Sequence, residues 1–95
     1  MASIKSLKKD IDYLFFELIS DCFMFTSLHD GPKKTEVQNL IEEAVASRNE
    51  MIDRANHPDG KENPAIVKAY FASLRKELLE KVDGYFERLS TISKQ

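Results

Sequence analysis

Apolar residues recur near the start of the chain in steps of three and four: Ile4, Leu7, Ile11, Leu14, Leu18, Cys22 and Phe25. Steps of that size stay on one side of a helix, so the spacing predicts helix one over about Ser3 to Ser27 with one buried seam. A second stripe, Val37, Leu40, Ile41, Ala44, Val45, Met51, Ile52 and Ala55, predicts helix two over about 35–56. Its start is read at Thr35, whose hydroxyl can cap the backbone while Gln38 reaches back as the other half of a capping box. The third stripe is Val67, Tyr70, Phe71, Leu74, Leu78, Val82, Tyr85, Leu89 and Ile92. It predicts helix three over about 63–92, opened by Asn63 as N-cap and Pro64 at the first helical position, where a missing N–H is harmless. Gly84 is a mild weakness inside it, about 1 kcal/mol relative to alanine.

Two clusters of turn formers separate these stripes, His29-Asp30-Gly31-Pro32 and His57-Pro58-Asp59-Gly60, and neither is followed by the alternating pattern of a strand. Short turns make consecutive helices antiparallel neighbours. The expected architecture is therefore all-α: a three-helix antiparallel up-down bundle in a single domain, residues 1–95, forming a rod about 35–45 Å long.

Helix one carries a second pattern. At about 100° per residue, Tyr13, Phe16, Phe23 and Met24 gather around Ser20 on the side opposite the main seam, with Asp10, Glu17 and Asp21 as a narrow polar edge. A helix in a three-helix monomer can hide only one side, and a contiguous exposed apolar patch usually marks an interface. The reading is that Tyr13, Phe16, Ser20, Phe23 and Met24 form the interface of a homo-oligomer or of a complex with another protein, so that a second chain completes the bundle. The competing reading places these residues in the core of a wider or bent bundle, or under the chain termini.

Arg48 interrupts the stripe of helix two between Ala44 and Met51. A charge there must find a partner or reach water along its aliphatic stem. The plain reading is a snorkelling or salt-bridged arginine. The sharper one pairs Arg48 with Glu17 or Asp21 of helix one as a buried ion pair that fixes register, or has it bind an anion in the groove between the helices.

Composition narrows the field. The 42% hydrophobic and 32% charged content fits a folded soluble chain, and 95 residues support one core. A net charge of −2 gives no bulk attraction to nucleic acid or anionic lipid. Cys22, the single cysteine, cannot form an internal disulfide, which favours the cytoplasm. The basic start, Met1 to Asp10, is followed by an apolar stretch broken by Asp10, Asp12 and Glu17, so no export signal is expected. No stretch reaches the roughly 18–20 apolar residues of a membrane span.

The chemistry-bearing residues lack the spacings that enzymes and metal sites need. A bundle-core di-iron site uses Glu-x-x-His pairs, whereas Thr26 and Arg54 stand three residues before His29 and His57. His29-Asp30 is a turn dipeptide, and Asp53 to Glu62 does not fit a calcium-binding loop. Cys22 lies on the apolar seam with no histidine in its helix, which suits a small core residue rather than a nucleophile. The expectation is no enzyme, no metal and no cofactor.

Lys5, Lys8 and Lys9 are separated from Lys33 and Lys34 by most of helix one, so they are not expected to form one patch. Helix three interleaves Lys68, Arg75, Lys76, Lys81 and Arg88 with Glu77, Glu80, Asp83 and Glu87, the pattern of a solvated, salt-bridged face. The opening Ile4-Lys5-Ser6-Leu7-Lys8-Lys9-Asp10-Ile11-Asp12-Tyr13 resembles the start of small uncharacterised helical proteins of bacteria. The resemblance covers mainly helix one and implies a helical fold and a bacterial origin, with no site attached. The leading functional expectation is a non-enzymatic interaction module that self-associates or binds a partner protein through helix one. Its rivals are an RNA- or ribosome-associated factor using the basic residues of helix three, and a carrier of a small anion near Arg48.

Overall fold

Two glycines in the left-handed backbone region, Gly31 at φ 82° and Gly60 at φ 69°, turn the chain in the computed structural model, which describes residues 4–60 and 62–95. Between and beyond these turns run α1 (Ile4–Leu28), α2 (Pro32–Asn56) and α3 (Pro64–Lys94). The fold is an all-α three-helix bundle in which each helix packs on the other two. The residue read as the start of helix one, Ser3, lies outside the described residues.

Contacts between the ends fix the direction of each helix. Lys8, near the start of α1, donates to Asn56 Oδ1 at the end of α2 at 2.9 Å. Glu43 of α2 meets Arg88 of α3, and Arg54, further along α2, meets Glu77, earlier in α3. Partners that advance on one helix as they retreat on the other make α2 antiparallel to both neighbours. At the opposite end Lys33 donates to the Gln95 carbonyl.

The expected boundaries hold for α3 and shift for α2. Asn63 Oδ1 accepts from the backbone N–H groups of Ala65 at 3.0 Å and Ile66 at 3.4 Å, and Pro64 occupies the first turn. In α2, however, Thr35 is not the cap. Gly31 is, without any side-chain cap bond, and Pro32 takes the first-turn position. Thr35 sits one turn inside, its N–H donating to the Gly31 carbonyl at 3.2 Å. The left-handed Gly31 reverses the chain within three residues, so the helix begins before the capping-box pair is reached.

The core is a column of Leu7, Ile11, Phe15, Leu18, Cys22 and Phe25 from α1, Val37, Leu40, Ala44, Met51 and Ala55 from α2, and Leu74, Leu78, Val82 and Ile92 from α3. The seam of α1 runs through Phe15, while Leu14, expected in it, is only half-buried. Similarly, Val45 of the α2 stripe is exposed. The Cα envelope measures 51 × 18 × 17 Å, longer than expected, because α3 has 31 residues and each adds about 1.5 Å. A slender rod has little interior, and side chains such as Phe71, Tyr85 and Phe86 are only partly covered.

Candidate protein-interaction surface

The seam of α1 is deep enough to hold its six buried side chains against α2 and α3, and this fixes what points the other way. Tyr13 is 63% exposed, Phe16 71%, Phe23 59% and Met24 65%, with Ser20 exposed among them. These are the residues that the helical wheel gathers opposite the seam. They lie outside the core, and Leu28, 74% exposed, continues the ridge one turn beyond Met24. The spacing from Met24 to Leu28 could have placed it there from sequence.

The ridge is flanked by two grooves. Between α1 and α2 a shallow depression of about 430 Å³ is lined by Asp12, Tyr13, Phe15, Phe16, Ile19, Val45 and Arg48. Between α1 and α3 a second is lined by residues that include Met24, Phe25, Leu28, Phe86 and Leu89. Both are mainly apolar, so the patch extends sideways from α1 onto each neighbour. Polar groups rim it on both sides, Asp12 and Arg48 toward α2 and Asp21, His29, Ser90 and Ser93 toward α3. The Glu17 carboxylate one turn away raises the Tyr13 phenol above its ordinary pKa, through hydrogen bonding and its charge.

The structure corrects the expected ion pair. Arg48 pairs with Asp12, not with Glu17 or Asp21: its Nε donates to Asp12 Oδ1 at 2.8 Å and its Nη2 lies 2.7 Å from the same oxygen. Its Nη1 donates to Asn49 Oδ1 at 3.0 Å. The pair is not buried, the arginine side chain being 38% exposed. The reason is helical phase. Ser47 takes the inward position between Ala44 and Met51, while Arg48 stands one residue further round, at the edge of α2 facing the start of α1. Glu17 and Asp21 are exposed on the other flank of α1. Each of the three guanidinium nitrogens of Arg48 makes a contact, and Asp12 already neutralises its charge, which weakens its pull on an arriving anion.

The basic residues of α3 divide in the same way. Arg75 is paired with Asp10 of α1, and Arg88 forms a two-pronged pair with Glu43 of α2 at 3.0 and 2.9 Å. Arg54 of α2 reaches Glu77 at 2.7 Å. The arginines thus tie helices together across the bundle, and Arg88 and Arg54 hold Glu43 and Glu77 below the ordinary carboxylate range. Lys8 and Lys33 lie at opposite ends of the rod, as expected for lysines that form no common patch.

His29 stacks on Phe25 with ring centroids 4.1 Å apart, and His57 Nδ1 lies 2.9 Å from the Asp53 carbonyl oxygen and 3.3 Å from Asp53 Oδ1. Both sit at helix ends in local contacts. Cys22 is fully buried, and burial, aided by the neighbouring Asp21 charge, pushes its thiol up to about 11. Among the described residues no helix is long and apolar enough to cross a membrane. No family model, curated protein or solved structure matches the chain.

Proposed function

We infer that this protein is a non-enzymatic helical interaction module whose α1 outer face docks onto a second copy of the chain. The observation that carries the reading is the ridge of Tyr13, Phe16, Phe23, Met24 and Leu28 around Ser20, about two-thirds exposed on average. Aromatic side chains contribute roughly 150–250 Å² each and Met24 and Leu28 somewhat less, so the five at that exposure offer on the order of 600 Å² per chain. That is at the top of the range for apolar patches on monomers. With rim residues such as Ile19 and Val45 it approaches the roughly 800 Å² per partner of a standard interface. Phe16 and Phe23 supply rigid aromatic anchors near its centre.

The slenderness of the bundle favours self-association as well. Covering the ridge would thicken a rod whose own core is a single column of side chains. The rival readings draw less support: the α3 arginines are spent on ion pairs within the chain, and Arg48 is held by Asp12 and Asn49.

Light scattering after size exclusion, over micromolar concentrations, tests this directly. The wild-type chain is expected to run as a dimer, and the Phe16→Asp/Phe23→Asp variant as a monomer with unchanged helical circular dichroism. A wild-type chain that stays monomeric throughout that range overturns the reading.

A further inference from the structure

The N-terminal end of α1 is charged against its own dipole, three lysines outnumbering the single Asp10 in its first two turns. The lysines are Lys5, Lys8 and Lys9; the first turn of the helix carries no acid and its last turn no basic residue. The N-terminal end of a helix bears partial positive charge and the C-terminal end partial negative, so each lysine sits at the unfavourable end. Lys8 is taken up by Asn56 of α2. Lys5 and Lys9 are exposed, as is Asp30, just beyond the end of α1.

We propose that the second copy lies antiparallel across α1, with a two-fold axis at Ser20, so that Lys9 of each chain sits beside the C-terminal end of the partner's α1. The inference rests on the self-association argued above and adds its direction and register. Three features converge on it. Ser20 is the small residue at the centre of the ridge, and a small side chain at the crossing lets two helices approach closely. Phe16 and Phe23 lie four and three residues to either side of it. A two-fold axis at Ser20 therefore sets Phe16 against the partner's Phe23 twice over, an isologous pair of aromatic contacts. Both phenylalanines lean toward the α2 side of the ridge. The partner's Phe23 then drops into the groove that Phe16 shares with Ile19 and Val45. The same register brings Lys9 opposite the partner's Asp30. Parallel pairing would instead stack the lysines of the two chains together.

Single cysteines read out the register, because the buried native Cys22 leaves the wild-type chain as an uncross-linked control. Under mild oxidation Ser20→Cys is expected to give a disulfide-linked dimer. Ser27→Cys is expected not to, since antiparallel copies hold the two sulfurs about 20 Å apart along the axis. Lys9→Glu and Asp30→Lys are each expected to weaken the dimer several-fold, and the double variant to restore it; added salt is expected to weaken the wild-type dimer. Efficient cross-linking through both positions means a parallel pair and overturns the inference. A dimer with no cross-link at Ser20 overturns the register. In both cases self-association itself survives, whereas a chain that is monomeric by light scattering removes the two together.

Discussion

Ser47 Oγ and the Tyr85 hydroxyl share a 2.6 Å hydrogen bond at the one buried polar position of α2. Tyr85 also donates, more weakly, to the Glu43 carbonyl at 3.4 Å, so Ser47 can donate in turn to the tyrosine. The bond lets α2 turn a serine toward α3 without leaving a polar atom stranded. Ser47→Ala is expected to lower unfolding free energy by about 1 kcal/mol, and Tyr85→Phe by a similar amount. Because each removes the same bond, the double variant should lose less than the sum, as measured by urea titration. Strict additivity would show that the two side chains act independently.

Phe15 and Phe16 are adjacent in sequence and opposite in environment, one 1% and the other 71% exposed. Phe15 fills the column beside Tyr85, with ring centroids 6.4 Å apart. Phe15→Ala should cost about 3–5 kcal/mol at any protein concentration. Phe16→Ala should leave the unfolding of the isolated chain nearly unchanged and lower the melting temperature only at concentrations where the chain self-associates. A concentration-independent loss of the same size in both variants would contradict the assignment of inner and outer faces.

That pair also marks how much could be read from sequence. The number, order and direction of the helices follow from three-and-four spacing and turn residues, because burial of one face per helix dominates the pattern. The outer ridge of α1 was legible for the same reason. Phase within a stripe was harder: Ile11 can continue to Leu14 or to Phe15, and only packing against Tyr85 selects Phe15. The Arg48 partner failed on a single 100° step, since an apolar stripe does not reveal that a serine can take the inward place when a tyrosine on another helix satisfies it. Thr35 failed because a glycine in the left-handed region leaves no mark in the hydrophobic pattern.

Cys22 should be protected from thiol reagents in the folded chain. Its sulfur is buried and its thiol is pushed up to about 11, so at pH 8 very little is thiolate. Labelling is expected to be slow in native buffer, to rise with urea in step with unfolding, and to follow local opening of the bundle. Rapid stoichiometric labelling of the native protein would mean that the α1 seam opens far more readily than its packing implies.

Acid should weaken the ties between α2 and α3. Arg88 lowers the carboxyl of Glu43, and Arg54 that of Glu77. A group whose folded-state pKa is depressed contributes stability above its unfolded value, near 4.3 for glutamate, and loses it as pH falls through the folded value. Both carboxylates are substantially exposed, with side chains 52% and 43% accessible, so the effect is small and screened by salt. The urea midpoint should therefore drop as pH is lowered through and below the ordinary glutamate range. A Glu43→Gln/Glu77→Gln variant should be less stable than wild type near neutral pH and converge on it in acid. A gap between the two that widens with acid would reverse the assigned sign.

Gly60 and Gly84 should respond to alanine in opposite directions. Gly60 holds φ 69°, and a Cβ built there would overlap Ile66 Cγ2 on the first turn of α3. Alanine is strained in the left-handed region and would also push Ile66 away, so Gly60→Ala is expected to destabilise by about 1–2 kcal/mol. Gly84 lies inside α3 with ordinary helical backbone and open space where a Cβ would go. Restricting the unfolded chain there, with nothing to displace in the folded one, should make Gly84→Ala more stable by about 0.5–1 kcal/mol. Thermal and urea unfolding of the two variants side by side check this, and a stabilising Gly60→Ala would mean that the turn between α2 and α3 relaxes away from its left-handed backbone at little expense.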